Sequence, residues 1–332
     1  MESPVPKPDT INKLRFAVDA AFAMLAGMQL DVFTSLKDVS KTADQIAKAI
    51  GVAPDRLKLL LYSLVSAGLL DVKNGLFANN HETGRFLVRG SPDFLDGMRW
   101  ADQWNRMFKT AESIRTGVPQ TKLDFSNSPP EEVEAFLRRI NRRTVVTARG
   151  LVERCDFSST RTLVDIGGGA GGLAVTITKA CPHIQATVVD LPQVIPVAQK
   201  VVEEEGATDR VKILAADVVS GPLPGSYDTA VLKNVIQVLS PGNAQRMLMN
   251  ISEAINPGGT IHIVGQILDD SRTSPPEAVG FNMLFINYFD VGESYTEQEH
   301  REWLTEAGFV GINRANLLLP GGYGLITAQK PT

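Results

Sequence analysis

A chain of 332 residues in which 43% are hydrophobic and 21% charged has the composition of a globular protein long enough for two domains. Its 33 basic against 37 acidic side chains give a formal charge of -4, which argues against a protein that lives on nucleic acid. No uncharged run is long enough to span a bilayer, no apolar signal core opens the chain, and Cys155 and Cys181 have no C-x-x-C spacing. A cytoplasmic protein without membrane spans or a disulfide framework is therefore expected.

The proline-rich first eight residues read as a loose tail. Residues 10–36 predict one long helix, with Leu14, Phe16, Phe22, Leu25, Met28, Val32 and Phe33 spread over more than one face, as suits burial against a partner subunit. Residues 42–78 then follow the pattern of a winged helix-turn-helix. Thr42 and Gln45 fit a capping box, and Gly51 stops the first short helix. Pro54 starts a second one with Leu57, Leu60, Leu61 and Leu64 inward; after Gly68, two strands meet at a tight Asn74-Gly75 turn. Such modules read DNA in regulators, but the second helix carries only Arg56 and Lys58 as basic residues, so a structural, dimerising domain is expected. Residues 95–150 read as mostly helical and rich in aromatics, with a turn at 126–130 and a helix starting at Pro130 before Glu131 and Glu132. The domain division is expected as 1–105 and 106–332.

From residue 162 onward strands and helices alternate, which predicts a parallel doubly wound sheet. The expected strands are 162–166, 185–190, 211–215, 229–233, 260–265, 311–318 and 322–329, with helices such as 194–206 and 243–255 between them. The first strand runs into Asp165-Ile166-Gly167-Gly168-Gly169-Ala170-Gly171-Gly172, an acid followed by a glycine turn from which a helix opens. Glycine is needed where the backbone takes positive φ or must approach a ligand without a Cβ, and the helix behind offers unpaired N–H groups. Two cofactor classes use that geometry. Gly167, Gly169 and Gly172 fit the dinucleotide pattern G-x-G-x-x-G; Asp165, Gly167, Gly169 and Gly171 fit the D-x-G-x-G-x-G of S-adenosylmethionine (SAM) methyltransferases. Asp190 closes the second strand, where a carboxylate accepts from ribose hydroxyls in either class. Asp217, at the end of the third, is the better discriminator, since an acid there meets the adenine amino group in a SAM site.

The chain resembles, over nearly its whole length, the SAM-dependent small-molecule O-methyltransferases of the plant caffeate, acetylserotonin and bacterial polyketide-tailoring type. Residues 42–87 are similar to their winged-helix dimerisation domain. Val164-Asp165-Ile166-Gly167-Gly168-Gly169 and Val189-Asp190-Leu191-Pro192 resemble their first two SAM motifs, Leu232-Lys233 the fourth-strand motif, and Ala307-Gly308-Phe309 the late Ala-Gly-Phe. The resemblance implies an α/β fold: a Rossmann-like SAM-methyltransferase sheet preceded by a mostly helical winged-helix dimerisation domain, in a homodimer. It implies a donor site in which Gly167 and Gly169 face the methionine part, Asp190 the ribose and Asp217 the adenine, with Lys233 at the pocket edge and Asp165, Leu191 and Val218 as further donor-binding residues. S-adenosylhomocysteine (SAH) would be the product. Met283 and Asn287 match acceptor-site positions; Trp104, Phe136, Asn141, Phe285 and Tyr288 join them as candidates for a lining that suits an aromatic or polyketide-like molecule.

One part of the family pattern is altered. Where members that methylate hydroxyls carry a His base, Leu232-Lys233-Asn234-Val235-Ile236-Gln237 presents Gln237, which hydrogen-bonds but cannot accept a proton near neutrality. Gln266 and Ser294 stand near the two acids that orient that His, and Tyr295 replaces the family's Arg. Gln237 and Tyr295 are the candidate catalytic positions, with Tyr288, Asp290, Glu293 and His300 as further candidate bases. The four histidines show no metal-ligand spacing, so no metal is expected. O-methylation follows from the family, while N- or C-methylation would need no base. The alternatives are a non-methylating relative that uses SAM to assist an elimination, rearrangement or pericyclic step, then a DNA-binding regulator, then a nicotinamide dehydrogenase.

Overall fold

A computed structural model of the chain describes residues 6–91, 93–95, 97–125, 127–317 and 322–332. Residues 1–5 of the expected tail, Ser126 of the expected turn and residue 318 of the expected strand lie outside them. The chain divides into two compact units, Met1–Phe108 and Lys109–Thr332.

The first unit begins with α1 (Asp9–Gln29) and α2 (Val32–Ser35). Residues 10–36 are thus not one helix: Asp31 takes a left-handed φ of 58 between the two, a conformation that Asp tolerates better than most, and its carboxylate pairs with Arg89. Next come α3 (Ala43–Ile50), α4 (Pro54–Ser66), β1 (Leu70–Lys73), β2 (Leu76–Asn79), α5 (His81–Phe86) and α6 (Gly97–Met107). Thr42 and Gln45 form the reciprocal capping box, and positive φ at both Asn74 and Gly75 gives the type I′ turn between β1 and β2. Phe33, Ile46, Leu57, Leu61, Leu64 and Phe77 fill the core. Along α1, Ile11, Leu14, Phe16, Val18 and Phe22 remain exposed, and on α4 Leu59 and Tyr62 share the outer face with Arg56 and Lys58.

The second unit opens with α7 (Thr110–Thr116) and α8 (Pro130–Arg154), then alternates β3 (Thr162–Ile166), α9 (Gly172–Ala180), β4 (Gln185–Asp190), α10 (Ile195–Glu204), β5 (Val211–Ala215), β6 (Tyr227–Lys233), α11 (Pro241–Ala254) and β7 (Ile255–Gly265). It ends with α12 (Pro276–Tyr288), α13 (Glu297–Glu306), β8 (Val310–Asn316) and β9 (Gly324–Gln329). The seven strands lie in the order β5-β4-β3-β6-β7-β9-β8. Strands β3 to β7 pair in parallel, whereas β9 inserts antiparallel between β7 and β8, so the sheet is mainly and not wholly parallel. Apolar clusters cover both faces, one built on α11 and α13 and the other on α8, α9 and α10. The chain leaves β3 toward β4 on one side and returns to β6 on the other. The carboxyl ends of β3 and β6 therefore flank a topological switch point, where open α/β sheets bind ligands. Among the described residues no helix is long and apolar enough to cross a membrane.

Candidate cofactor and acceptor site

The bend after β3 is built by glycine for stated reasons. Gly167, Gly169 and Gly171 have φ of 62, 58 and 81, all left-handed. At Gly168 a Cβ would stand 2.8 Å from the Asp165 carboxyl and 2.9 Å from Val188, so the turn lies directly on the strands beneath it. Gly169 is different: among the described residues only Leu137 Cδ2, at 3.8 Å, comes within reach of a Cβ there, which leaves its face open. Behind the turn, Asn141 Oδ1 accepts from Gly172 N–H at 3.1 Å and caps the start of α9. Asn141, expected to touch the acceptor, thus spends its carbonyl on a helix end, because the glycine turn supplies no side chain to cap it.

Asp190 reaches the same turn from the end of β4. Its Oδ2 accepts from Gly169 N–H at 2.8 Å and its Oδ1 from Leu191 N–H at 2.7 Å. Burial raises the pKa of its carboxyl, with the two N–H groups pulling the other way. A half-buried carboxylate is thereby held at the open bend beside the switch point, while Leu191 projects into solvent. Asp217, two residues beyond β5, is exposed; its carboxylate accepts from Val219 N–H at 3.0 Å and from Ser220 Oγ–H at 2.5 Å. These groups fit a nucleoside: an open glycine cradle and carboxylates at adjacent strand tips.

Two expected donor-site residues lie elsewhere. Asp165 is buried under the turn, 1% exposed, where burial pushes its carboxyl up to about 7 against the pull of Ala174 N–H. It supports the bend from below because the inward face of β3 leaves no other direction. Val218 packs into the core and its carbonyl accepts from Asn250 at 2.7 Å, since the chain after Asp217 turns back under α11.

At the end of β6, Lys233 Nζ lies 5.5 Å from the Tyr323 ring centroid. Asn234 then turns left-handed with φ 56, Val235 presses on Gly167, and a single 3-10 turn, Ile236–Val238, carries Gln237. Gln237 is 3% exposed and seated between two glycines. A Cβ on Gly265 would collide with its side-chain amide, and one on Gly292 with its backbone carbonyl. Its Nε2 donates to Gln266 O at 3.4 Å. Gln237 is thus brought together with Gly265, Gln266 and Gly292, and the amides of Gln237 and Gln266 and the hydroxyl of nearby Ser294 are neutral, whereas Glu293 pairs with Arg272. Asn234 and Val235 escaped the sequence reading as contributors to the site; an Asn directly after a strand is the one available signal of a left-handed turn.

Tyr295 is not at the reacting edge. Its ring is 1% exposed, packs at 4.8 Å on Trp303, and its hydroxyl donates to Leu239 O at 2.6 Å. Burial pushes that phenol up to about 12, so it serves the core under α13 and cannot act as a base. The other candidate bases are also engaged. His300 is buried with Nδ1–H donating to Thr296 O at 2.7 Å and its pKa lowered by burial; Glu293 pairs with Arg272 at 3.2 Å, and Asp290 with Lys122.

On α12, Met283 is 41% exposed and Tyr288 half-buried, whereas Asn287 is fully buried. Asn287 Nδ2 donates to Thr110 Oγ1 at 2.9 Å and to Met283 O at 3.1 Å, while its Oδ1 accepts from Ser113 Oγ at 2.9 Å. It ties α12 to α7 and is not an open acceptor contact, because a buried amide takes every partner available. Phe136 packs at 5.2 Å on Phe125 along α8. Trp104 belongs to the N-terminal unit, edge-on to Phe22 of α1 at 5.8 Å.

Comparison with known proteins bears on both units. The family described as O-methyltransferase domain matches residues 102–310, and that described as O-methyltransferase dimerisation domain matches residues 14–89. The chain is 27% identical to the 3-hydroxy-5-methyl-1-naphthoate 3-O-methyltransferase of Streptomyces sahachiroi over 97% of this chain and 95% of that protein. It is 28% identical to the tetracenomycin polyketide synthesis 8-O-methyl transferase TcmO of Streptomyces glaucescens over 98% and 97%. Among solved structures, PigF with SAH aligns with a TM-score of 0.80 at 25% identity, covering 98% of this chain and 100% of that one.

Proposed function

The chain belongs to the O-methyltransferase family and is a SAM-dependent methyltransferase, and from that premise we propose that it methylates a hydroxyl oxygen of a small aromatic or polyketide-like acceptor. The observation that carries the reading is the meeting of Asp190 with the open bend at Gly169, next to the turn that bears Gln237. In this reading the Gly167–Gly169 backbone receives the methionine part of the donor, Asp190 and Leu191 its ribose, Asp217 its adenine, and Lys233 edges the pocket. Bound there, SAM supplies an electrophilic sulfonium methyl. The chain's own part is to orient the acceptor and exclude water, and alignment of that kind supplies much of the rate in methyl transfer. Phe136, Met283 and Tyr288 are the side chains we assign to the acceptor lining, and of the relatives named above one acts on a hydroxynaphthoate and the other serves tetracenomycin polyketide synthesis.

The N-terminal unit is read as the homodimer contact of a cytoplasmic enzyme, through the exposed apolar stripe of α1. The outer face of α4, with Leu59 and Tyr62 beside two basic residues, favours a protein contact over a DNA groove. The non-methylating alternative finds no support among the relatives described, which are methyltransferases.

Calorimetry with SAM and with NADH, followed by mass spectrometry of an aromatic acceptor panel, tests the proposal. SAM is expected to bind, Asp190→Ala to weaken it, and an acceptor to gain one methyl on oxygen. Binding of NADH without SAM, or a product that keeps its mass, would sink it.

A further inference from the structure

The turn that carries Gln237 is pressed against the glycine bend through Val235, whose Cγ2 lies 2.5 Å from where a Gly167 Cβ would stand. What this turn offers a reacting hydroxyl is neutral. Gln237, 3% exposed, is held by Gly265 and Gly292; Ser294 is fully buried, its N–H donating to Asn282 Oδ1 at 2.7 Å. Among the described residues, the charged and titratable groups on the segments packed around it have partners of their own. Lys233 lies on the Tyr323 ring, Asp269 pairs with Arg314 at 2.7 Å, and Glu293 pairs with Arg272. Tyr295 donates to Leu239 O, His300 donates to Thr296 O, Asp290 pairs with Lys122, and Tyr288 on α12 stands edge-on to Phe289 with a phenol O–H to donate. An amide accepts no proton at neutral pH, so none of these groups is placed to take one from a bound hydroxyl.

We infer that Gln237 makes the site selective for acceptors whose hydroxyl is already ionised on arrival, such as acidic phenols and enolised 1,3-dicarbonyls, over ordinary phenols and alcohols; this rests on the methyltransferase reading above. The acceptor's proton passes to bulk water before binding. The oxyanion then forms the new O–CH3 bond while the S–CH3 bond breaks, the bonding pair leaves on sulfur, and the opposite charges of oxyanion and sulfonium cancel. A general base contributes roughly 10²–10⁴-fold to a reaction that needs one, and an ionised acceptor needs none. Selectivity follows because a weakly acidic hydroxyl, present almost wholly as the neutral form near pH 7, finds no group to deprotonate it. The amide of Gln237 remains useful as a hydrogen-bond donor toward an oxyanion.

The test is the pH dependence of kcat/KM for the intact enzyme with SAM and phenols of graded acidity, with transfer scored by mass. For each phenol, log kcat/KM is expected to rise with unit slope and to level at that phenol's own solution pKa, so the break moves with the acceptor. A second readout needs no turnover: a nitrophenol bound to the enzyme with SAH should show the phenolate spectrum, and its Kd should tighten as pH rises through its own pKa. Gln237→His should raise kcat/KM for the least acidic phenol by on the order of 10²-fold and give all phenols one shared break. The inference is overturned by wild-type breaks that coincide for all phenols, or by nitrophenol bound as the neutral form. It also falls if SAM binds but no ionised phenol or enol is methylated, or if a folded, SAM-binding Gln237→His leaves weakly acidic phenols unchanged. Failure to bind SAM at all would instead overturn the reading on which it rests.

Discussion

Val235 closes over Gly167, so that a Cβ on the glycine would meet the valine methyl at 2.5 Å. The exit of β6 is thereby braced on the bend after β3, and Gly167 is required both for its left-handed φ of 62 and for this contact. Gly169 shares the left-handed φ but has open space in front of it. The two glycines therefore answer to different constraints. Gly167→Ala is expected to lower stability by about 2–4 kcal/mol, combining left-handed strain with overpacking. Gly169→Ala should lose only about 1–2 kcal/mol, from the strain alone, yet weaken SAM binding at least roughly tenfold because its Cβ occupies the cradle. Chemical denaturation and calorimetry separate the two effects; equal stability losses, or unchanged SAM affinity for G169A, would contradict this account.

Asp165 links the bend to pH. Burial raises its folded pKa to about 7, while an unfolded aspartate titrates near about 4. Between those values the folded state holds a proton that the unfolded state has lost. The contribution of this group to stability is complete below about pH 4 and disappears as pH rises through about 7, a change on the order of a few kcal/mol. In D165N the group no longer titrates. The variant is expected to fall furthest below the wild type near pH 4 and to close the gap by pH 8, read from urea midpoints across that range. A gap that stays constant with pH would show that Asp165 ionises in the fold as it does in water.

Local signals made much of this legible in advance. The Thr42–Gln45 cap, Pro54 at a helix start and the Asn74-Gly75 turn each depend on neighbours within a few residues, and the structure has all three. The glycine bend was readable because glycine takes repeated left-handed conformations at the least cost. The break at Asp31 was not, since both flanking segments keep helical periodicity and the carboxylate's partner is Arg89, far along the chain. The antiparallel insertion of β9 was equally hidden, because alternation reveals a strand's period and not its neighbours. The same limit explains Asn141, Asn287 and Tyr295. Their residue types suit a pocket wall, but bonds to Gly172, Ser113 and Leu239 decide their roles, and such distant partners leave no pattern in sequence.

Asn287 joins α12 to α7 through bonds to Thr110, Ser113 and its own helix, and its carbonyl accepts from Thr121 N–H at 3.2 Å. Asn287→Ala removes the acceptor that the buried Ser113 hydroxyl uses and leaves a small void. The expected loss is about 2–4 kcal/mol, or a fall of roughly 4–16 °C in Tm for a unit of this size. Asn287→Asp, which buries a carboxyl group and sets an acceptor against Met283 O, should lose at least as much as the alanine variant near neutral pH. Scanning calorimetry checks the order, and a Tm for the alanine variant within about a degree of wild type would contradict the clamp.

On α1, Ile11, Leu14, Val18 and Phe22 recur at helical spacing and are 69%, 65%, 49% and 45% exposed, which forms an apolar stripe along one face. An exposed stripe of that kind is the usual mark of a subunit contact. Phe22 also packs on Trp104, so the cleaner probes are Leu14 and Val18, whose outward side chains face solvent in the isolated chain. Burying an aliphatic side chain contributes about 1.5–3 kcal/mol. Replacing both residues by Glu on each of two chains should therefore raise the dimer Kd by at least about 10³-fold. Sedimentation equilibrium is expected to show a dimer for wild type and a monomer for the L14E/V18E variant, with unchanged helical content by circular dichroism. A variant that sediments as a dimer would place the subunit contact on another surface, and the stripe on α1 would then need a different partner.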